Sequence, residues 1–141
     1  MSELKNPLLV PMEALMNYAA IKPEHIGPAI TELLAQARQA VEAAANPTLA
    51  PTWEAIVTPL DNASEPLWRA WSVAGHLNAV VNTPALRDAY NEMLTPISEF
   101  STWVGLHTGL YQQYQRLRAN PEFDHWTPAR KRIIELALRD F

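Results

Sequence analysis

A chain of 141 residues with no cysteine and a formal charge of -4 has room for one domain with a hydrophobic core and needs no disulfide to hold it. The missing cysteines exclude a thiol nucleophile and a cysteine-rich zinc site and point to a reducing, cytoplasmic setting. Eleven basic against fifteen acidic residues, with Arg130, Lys131 and Arg132 as the one tight basic cluster, set nucleic-acid binding aside, and the absence of a basic-then-apolar leader or a long apolar run argues for a soluble chain with neither signal peptide nor membrane span.

Residues 1–22 carry Pro7 and Pro11 and no helical period, which predicts an extended N-terminal arm. A helix should open at Pro23, because Ile26, Ile30, Leu33, Leu34, Ala37, Val41 and Ala44 recur at helical steps. Pro28 cannot donate its backbone hydrogen bond, so regular helix is expected only from near Gly27. The connection "NPTLAP" at 46–51 leads to Thr52, the cap of a second helix. There Trp53, Ile56, Leu60, Ala63, Leu67, Trp71 and Ala74 keep the period through Pro59 and Pro66, to about Val81. Two prolines inside one stripe predict a kink or a second start.

A third helix, capped by Thr83 with Pro84 in its first turn, is expected to carry its apolar stripe from Leu86 to Leu117, with a bend at Pro96. After the loop "NPEFDHW", Thr127 and Pro128 open the last helix. Its stripe of Ile133, Ile134, Ala137, Leu138 and Phe141 reaches the final residue with no glycine or asparagine to close it. The fold class is therefore all-α: an antiparallel bundle of about four main helices with proline kinks, comprising residues 23–141 and preceded by the arm at 1–22. Trp53, Trp68, Trp71 and Trp103 should supply much of the core.

Catalytic chemistry finds little support. A helical zinc hydrolase would show His-Glu-x-x-His, with two imidazoles one turn apart on one face. Here His25, His76, His107 and His125 are scattered. His76 and His107 could meet across the second and third helices, but a catalytic zinc takes three protein ligands and no third is visible. Hydrogen-bonded or exposed histidines are the plainer reading. Ser64, Ser72, Ser98 and Ser101 lack a nucleophile elbow, and no phosphate-cradling loop occurs. No catalytic or metal-ligating residue is assigned.

Gly105 and Gly109 should let another segment approach the third helix closely. In "GLYQQY", Tyr111 and Tyr114 are candidates for peptide contact, weighed against one ring packing in the core and the other lying on the surface. Arg130, Lys131 and Arg132 stand near the positive end of their own helix, where cations are mildly unfavourable, which suggests an acidic partner nearby or a solvated face.

Several stretches resemble a single family: "NPLL" in the arm, "AAIKPEHIGPAITELL" at the first helix, "HLNAVVNTPALRDAY" at the third, then "EFSTWVGLHTGLYQQYQRLR" and "IIELALRDF". Together they resemble the N-terminal region of the oligopeptidase A family of thimet-type zinc metallo-oligopeptidases. The resemblance implies a much longer, almost entirely helical parent whose two halves face each other across a deep channel for short unfolded peptides. It implies cytoplasmic cleavage of internal peptide bonds by a zinc-bound water that a glutamate activates. The catalytic motif of that family lies far downstream of the region resembled, so none of its catalytic residues or zinc ligands carries over. The chain would hold no cofactor of its own, with zinc in the full-length parent. Its partners would be the C-terminal catalytic part of the same polypeptide and oligopeptide substrates, with neither nucleic acid nor membrane.

By the same resemblance the bundle would form part of the channel wall, and Leu8, Leu9, Leu138 and Phe141 are candidates for the interdomain interface. The uncapped stripe at Phe141 then reads as a truncation from the longer peptidase, and the chain alone is expected to be folded and inactive. The amphipathic stripes would equally support a free-standing helical protein-interaction module without catalytic activity.

Overall fold

Helix starts in this chain are made by side chains that accept the first unpaired N–H groups. The computed structural model describes residues 6–140; Phe141, the end of the predicted last stripe, lies outside the described residues, as do residues 1–5 of the arm. The described part contains helices α1 (Pro23–Ala44), α2 (Thr58–Val80), α3 (Pro84–Gly105), α4 (Thr108–Ala119) and α5 (Pro128–Asp140), and no strand.

α1 begins at Pro23, earlier than the sequence suggested. The backbone N–H of Lys22 donates to Nδ1 of His25 at 2.9 Å, which fixes the first turn. Pro28 lies inside the helix, and the carbonyl it leaves without an i+4 donor belongs to Glu24, on the exposed side where water can reach it. The second helix opens with a π-turn that passes without a break into α2, since Val57 is itself helical (φ -82°, ψ -44°). Thr52 Oγ1 accepts from the N–H of Ala55 at 3.1 Å, a π-turn runs over Trp53–Val57, and Thr58 closes it by donating to the carbonyl of Trp53. Pro59 then falls in the first turn of α2, directly after the π-turn. Thr83 Oγ1 accepts from Leu86 at 3.2 Å to open α3. Thr127 Oγ1 does the same for Arg130 at 3.2 Å at the start of α5.

The predicted long third helix is in fact two. The backbone turns extended at His107 (φ -78°, ψ 100°), and its Nδ1 accepts from the N–H of Leu110 at 3.1 Å, so an imidazole caps α4 where a hydroxyl would be usual. Gly109 makes this possible, because a Cβ there would come within 3.2 Å of the Ala45 Cβ, so α4 starts tightly against the end of α1. Gly105, expected to play the same part, has nothing within 4 Å of where its Cβ would be.

α1 is the central element. Ile26, Ala29, Ile30, Leu33, Ala37, Val41 and Ala44 are all buried, and the helix packs against α2, α3 and α4. Among the tryptophans, Trp53 is buried and meets Trp126 edge to face at 6.1 Å, while Trp71 stacks on Tyr90 at 4.3 Å. Trp68 departs from expectation: it is 38% exposed. The arm is not simply extended, since it makes two single 3-10 turns, at Pro7–Leu9 and Tyr18–Ala20. Asn6 anchors it by accepting from Leu8 N–H at 3.0 Å and donating to the carbonyl of His25 at 2.9 Å. Leu8 thereby enters the chain's own core against α1 and α2, at 2% exposure.

Two polar clamps fix the irregular segments. Arg69 of α2 donates to the carbonyls of Val10, Pro11, Met12 and Ala14 at 2.7–3.4 Å. On α4, buried Gln113 donates from Nε2 to the carbonyls of Ala44 (2.9 Å) and Asn46 (2.7 Å), and its Oε1 accepts from Arg116. Arg116 reaches on to the carbonyl of Leu49 at 2.8 Å and Asn120 to that of Pro51 at 2.6 Å. Gln113, Arg116 and Asn120 thus form a ladder at helical spacing that holds the connection from α1 to α2. Replacing Gln113 with Leu removes the partner of two carbonyls at a site only 1% exposed. The expected loss is about 2–6 kcal/mol, at about 1–3 kcal/mol for each of the two orphaned carbonyls, read by chemical denaturation.

Candidate peptide-contact face

Tyr111 and Tyr114 lie three residues apart on α4, both half-buried, and shallow clefts open beside each. Tyr111 lines a pocket of about 210 Å³ with the α3–α4 junction at 105–108. It also lines a second, of about 370 Å³, with Gln115, Arg118, Ala119 and Leu138. Tyr114 lines a cleft of about 290 Å³ between α2, α3 and α4 and another of about 250 Å³ bordered by Ala137 and Asp140 of α5. The break at His107 borders the first of these clefts. Leu106, at the break, is 77% exposed.

The remaining candidates fall in different places. Leu9 and Leu138 are half-buried against the core, and Phe141 lies outside the described residues. Leu8 was a candidate for an outer interface, but α1 and α2 cover it, so it has no free face to offer.

No group of three or more His, Cys, Asp or Glu side chains among the described residues is placed to hold a metal ion. His25 and His107 each use Nδ1 as a cap acceptor, and the His107 ring meets Trp103 edge to face at 5.0 Å. The pairing of His76 with His107 therefore gains no third ligand. Arg130, expected to await an acidic partner, has its guanidinium over the Trp53 ring at 4.7 Å. That contact gives the cation a seat at the start of α5.

What the sequence reading missed is the polar edge of α2. Asp61, Ser64 and Trp68 line the same cleft as Tyr114, and their i, i+3, i+7 spacing beside the apolar stripe was the available signal. Burial first, and then the charge of Glu65 one turn on, raise the Asp61 carboxyl above its ordinary 3.8. Burial, and then the charge of Asp61, push the Tyr114 phenol above 10.0.

In comparison with known proteins, residues 30–141 match the family model described as Neurolysin/Thimet oligopeptidase, N-terminal domain. Over 138 residues, 98% of the chain, the sequence is 44% identical to Oligopeptidase A of Salmonella typhimurium and 42% identical to Oligopeptidase A of Escherichia coli. A more distant relative, Probable cytosolic oligopeptidase A of Arabidopsis thaliana, is 27% identical over 96% of the chain. The chain spans 20% of the length of the two bacterial relatives and 19% of the plant one.

The cleft carries a pH signature. Because the folded Asp61 pKa is raised above 3.8, its contribution to stability is full below that value and is lost as pH rises through the folded pKa, leaving a net cost at neutrality. Asp61→Asn is therefore expected to raise the melting temperature at about pH 7 and to leave it unchanged at about pH 3, where both states are protonated, as read by thermal melts across pH.

Proposed function

The chain belongs to the neurolysin/thimet oligopeptidase N-terminal domain family, and from that premise we propose that it is the non-catalytic helical part of an oligopeptidase A-like zinc metallopeptidase that cleaves internal bonds of short peptides in the cytoplasm. The observation that carries this reading is 44% identity to an Oligopeptidase A across 98% of the chain.

Catalysis and zinc belong, in this reading, to the C-terminal part of the same polypeptide. Among the described residues no three zinc ligands gather, and His25 and His107 each accept a backbone hydrogen bond at Nδ1. The bundle supplies part of the channel wall, with the clefts beside Tyr111 and Tyr114 turned toward the peptide. A tyrosine ring suits that task, because it offers apolar area and a hydroxyl to an extended backbone whatever side chains that backbone bears. Leu9, Leu138 and Phe141 would face the C-terminal part. No helix among the described residues is long and apolar enough to cross a membrane.

With an internally quenched oligopeptide and added zinc, the 141-residue chain alone is expected to release no fluorescence, whereas the full-length polypeptide turns the peptide over. Turnover by the short chain would overturn the non-catalytic assignment, and a full-length protein inert toward all oligopeptides would overturn the peptidase assignment. Tyr111→Ala in the full-length protein is expected to raise KM at least about threefold with kcat within about twofold, the pattern of a lost binding contact; a fall in kcat alone would speak against a wall role.

A further inference from the structure

Asp61, Ser64 and Trp68 stand above one another on α2 and form one wall of a cleft closed by Phe100 and Ser101 of α3 and Tyr114 of α4. Its volume of about 290 Å³ lies just below the range of ~300–1,000 Å³ typical of small-molecule pockets, which suits one side chain better than a whole ligand. The lining pairs a carboxylate with aromatic rings. Aromatic faces attract cations through their quadrupole, and a carboxylate does so through its charge.

Three further observations point to a positive occupant. Glu65 lies one turn from Asp61, where two like charges repel and cost stability. Neither takes part in an ion pair among the described residues. Trp68, 38% exposed, leaves an indole at the mouth of the cleft.

We infer that this cleft is a subsite for the lysine or arginine side chain of an extended peptide, with Asp61 supplying the charge and Trp68 and Tyr114 the flanking rings. The inference rests on the peptide-handling function proposed above and adds a preference to it.

The test is a titration of the 141-residue chain, followed by tryptophan fluorescence, with two capped glycine-rich peptides that differ only in a central lysine or norleucine. The lysine peptide is expected to bind about five- to tenfold more tightly at low salt, with the advantage shrinking as salt screens the charge. Asp61→Asn should abolish the preference. Asp88→Asn removes the same charge thirteen residues before Ser101 on α3, about 20 Å along the helix, and should preserve it. Equal affinity for the two peptides, binding of neither at millimolar concentration, or equal losses in both variants would overturn the subsite. A full-length protein that cleaves oligopeptides while the chain shows no lysine preference would sink the subsite alone. A chain that keeps the preference within a protein that cleaves no peptide would sink the peptidase reading alone.

Discussion

Buried carbonyls must find donors, and in this domain long side chains from the helices supply them to the segments that are not helical. Gln113 is the central case. Its amide spans the carbonyls of Ala44 and Asn46, so the end of α1 and the start of the following connection are satisfied by a helix that begins more than sixty residues later. An unpaired carbonyl in an apolar interior costs enough to rival much of a domain's net stability. The position of α4 against α1 is therefore specified by hydrogen bonding as well as by the close contact of Gly109 with Ala45. In that position α4 brings Tyr111 and Tyr114, both half-buried, to the clefts beside it.

Much of the fold was legible in the sequence because its signals are local. Thr52, Thr83 and Thr127 each cap the helix they were expected to cap, since a hydroxyl and the N–H three residues on meet by helix geometry alone. The prolines at 59 and 84 mark helix starts for the same local reason. The split between α3 and α4 escaped notice because the apolar period runs on through it and histidine is an unusual cap. Pro28 misled in the opposite direction, as its lost hydrogen bond falls on an exposed first turn where water can replace it.

The candidate site was half legible. Tyr111 and Tyr114 stood out as aromatic residues in a polar stretch, and both border clefts. Leu8 and Trp68 changed places with respect to expectation, the leucine going inside and the tryptophan to the rim. Hydrophobicity alone cannot rank such residues, since burial depends on which neighbours arrive from distant sequence. Asn6 draws Leu8 inward through His25, nineteen residues away. The clamp made by Gln113, Arg116 and Asn120 spans 67 to 69 residues, a separation at which no periodicity survives.

The Arg69 clamp differs from the other contacts in what it reads. All four of its acceptors are backbone carbonyls, which every residue type possesses, so the pose of this strap depends hardly at all on which side chains it bears. Met12 and Leu15 are exposed, at 41% and 94%. The domain thus holds a stretch of chain whose path is fixed while its lettering is free, a place where new side chains can be tried during evolution without disturbing the scaffold that displays them.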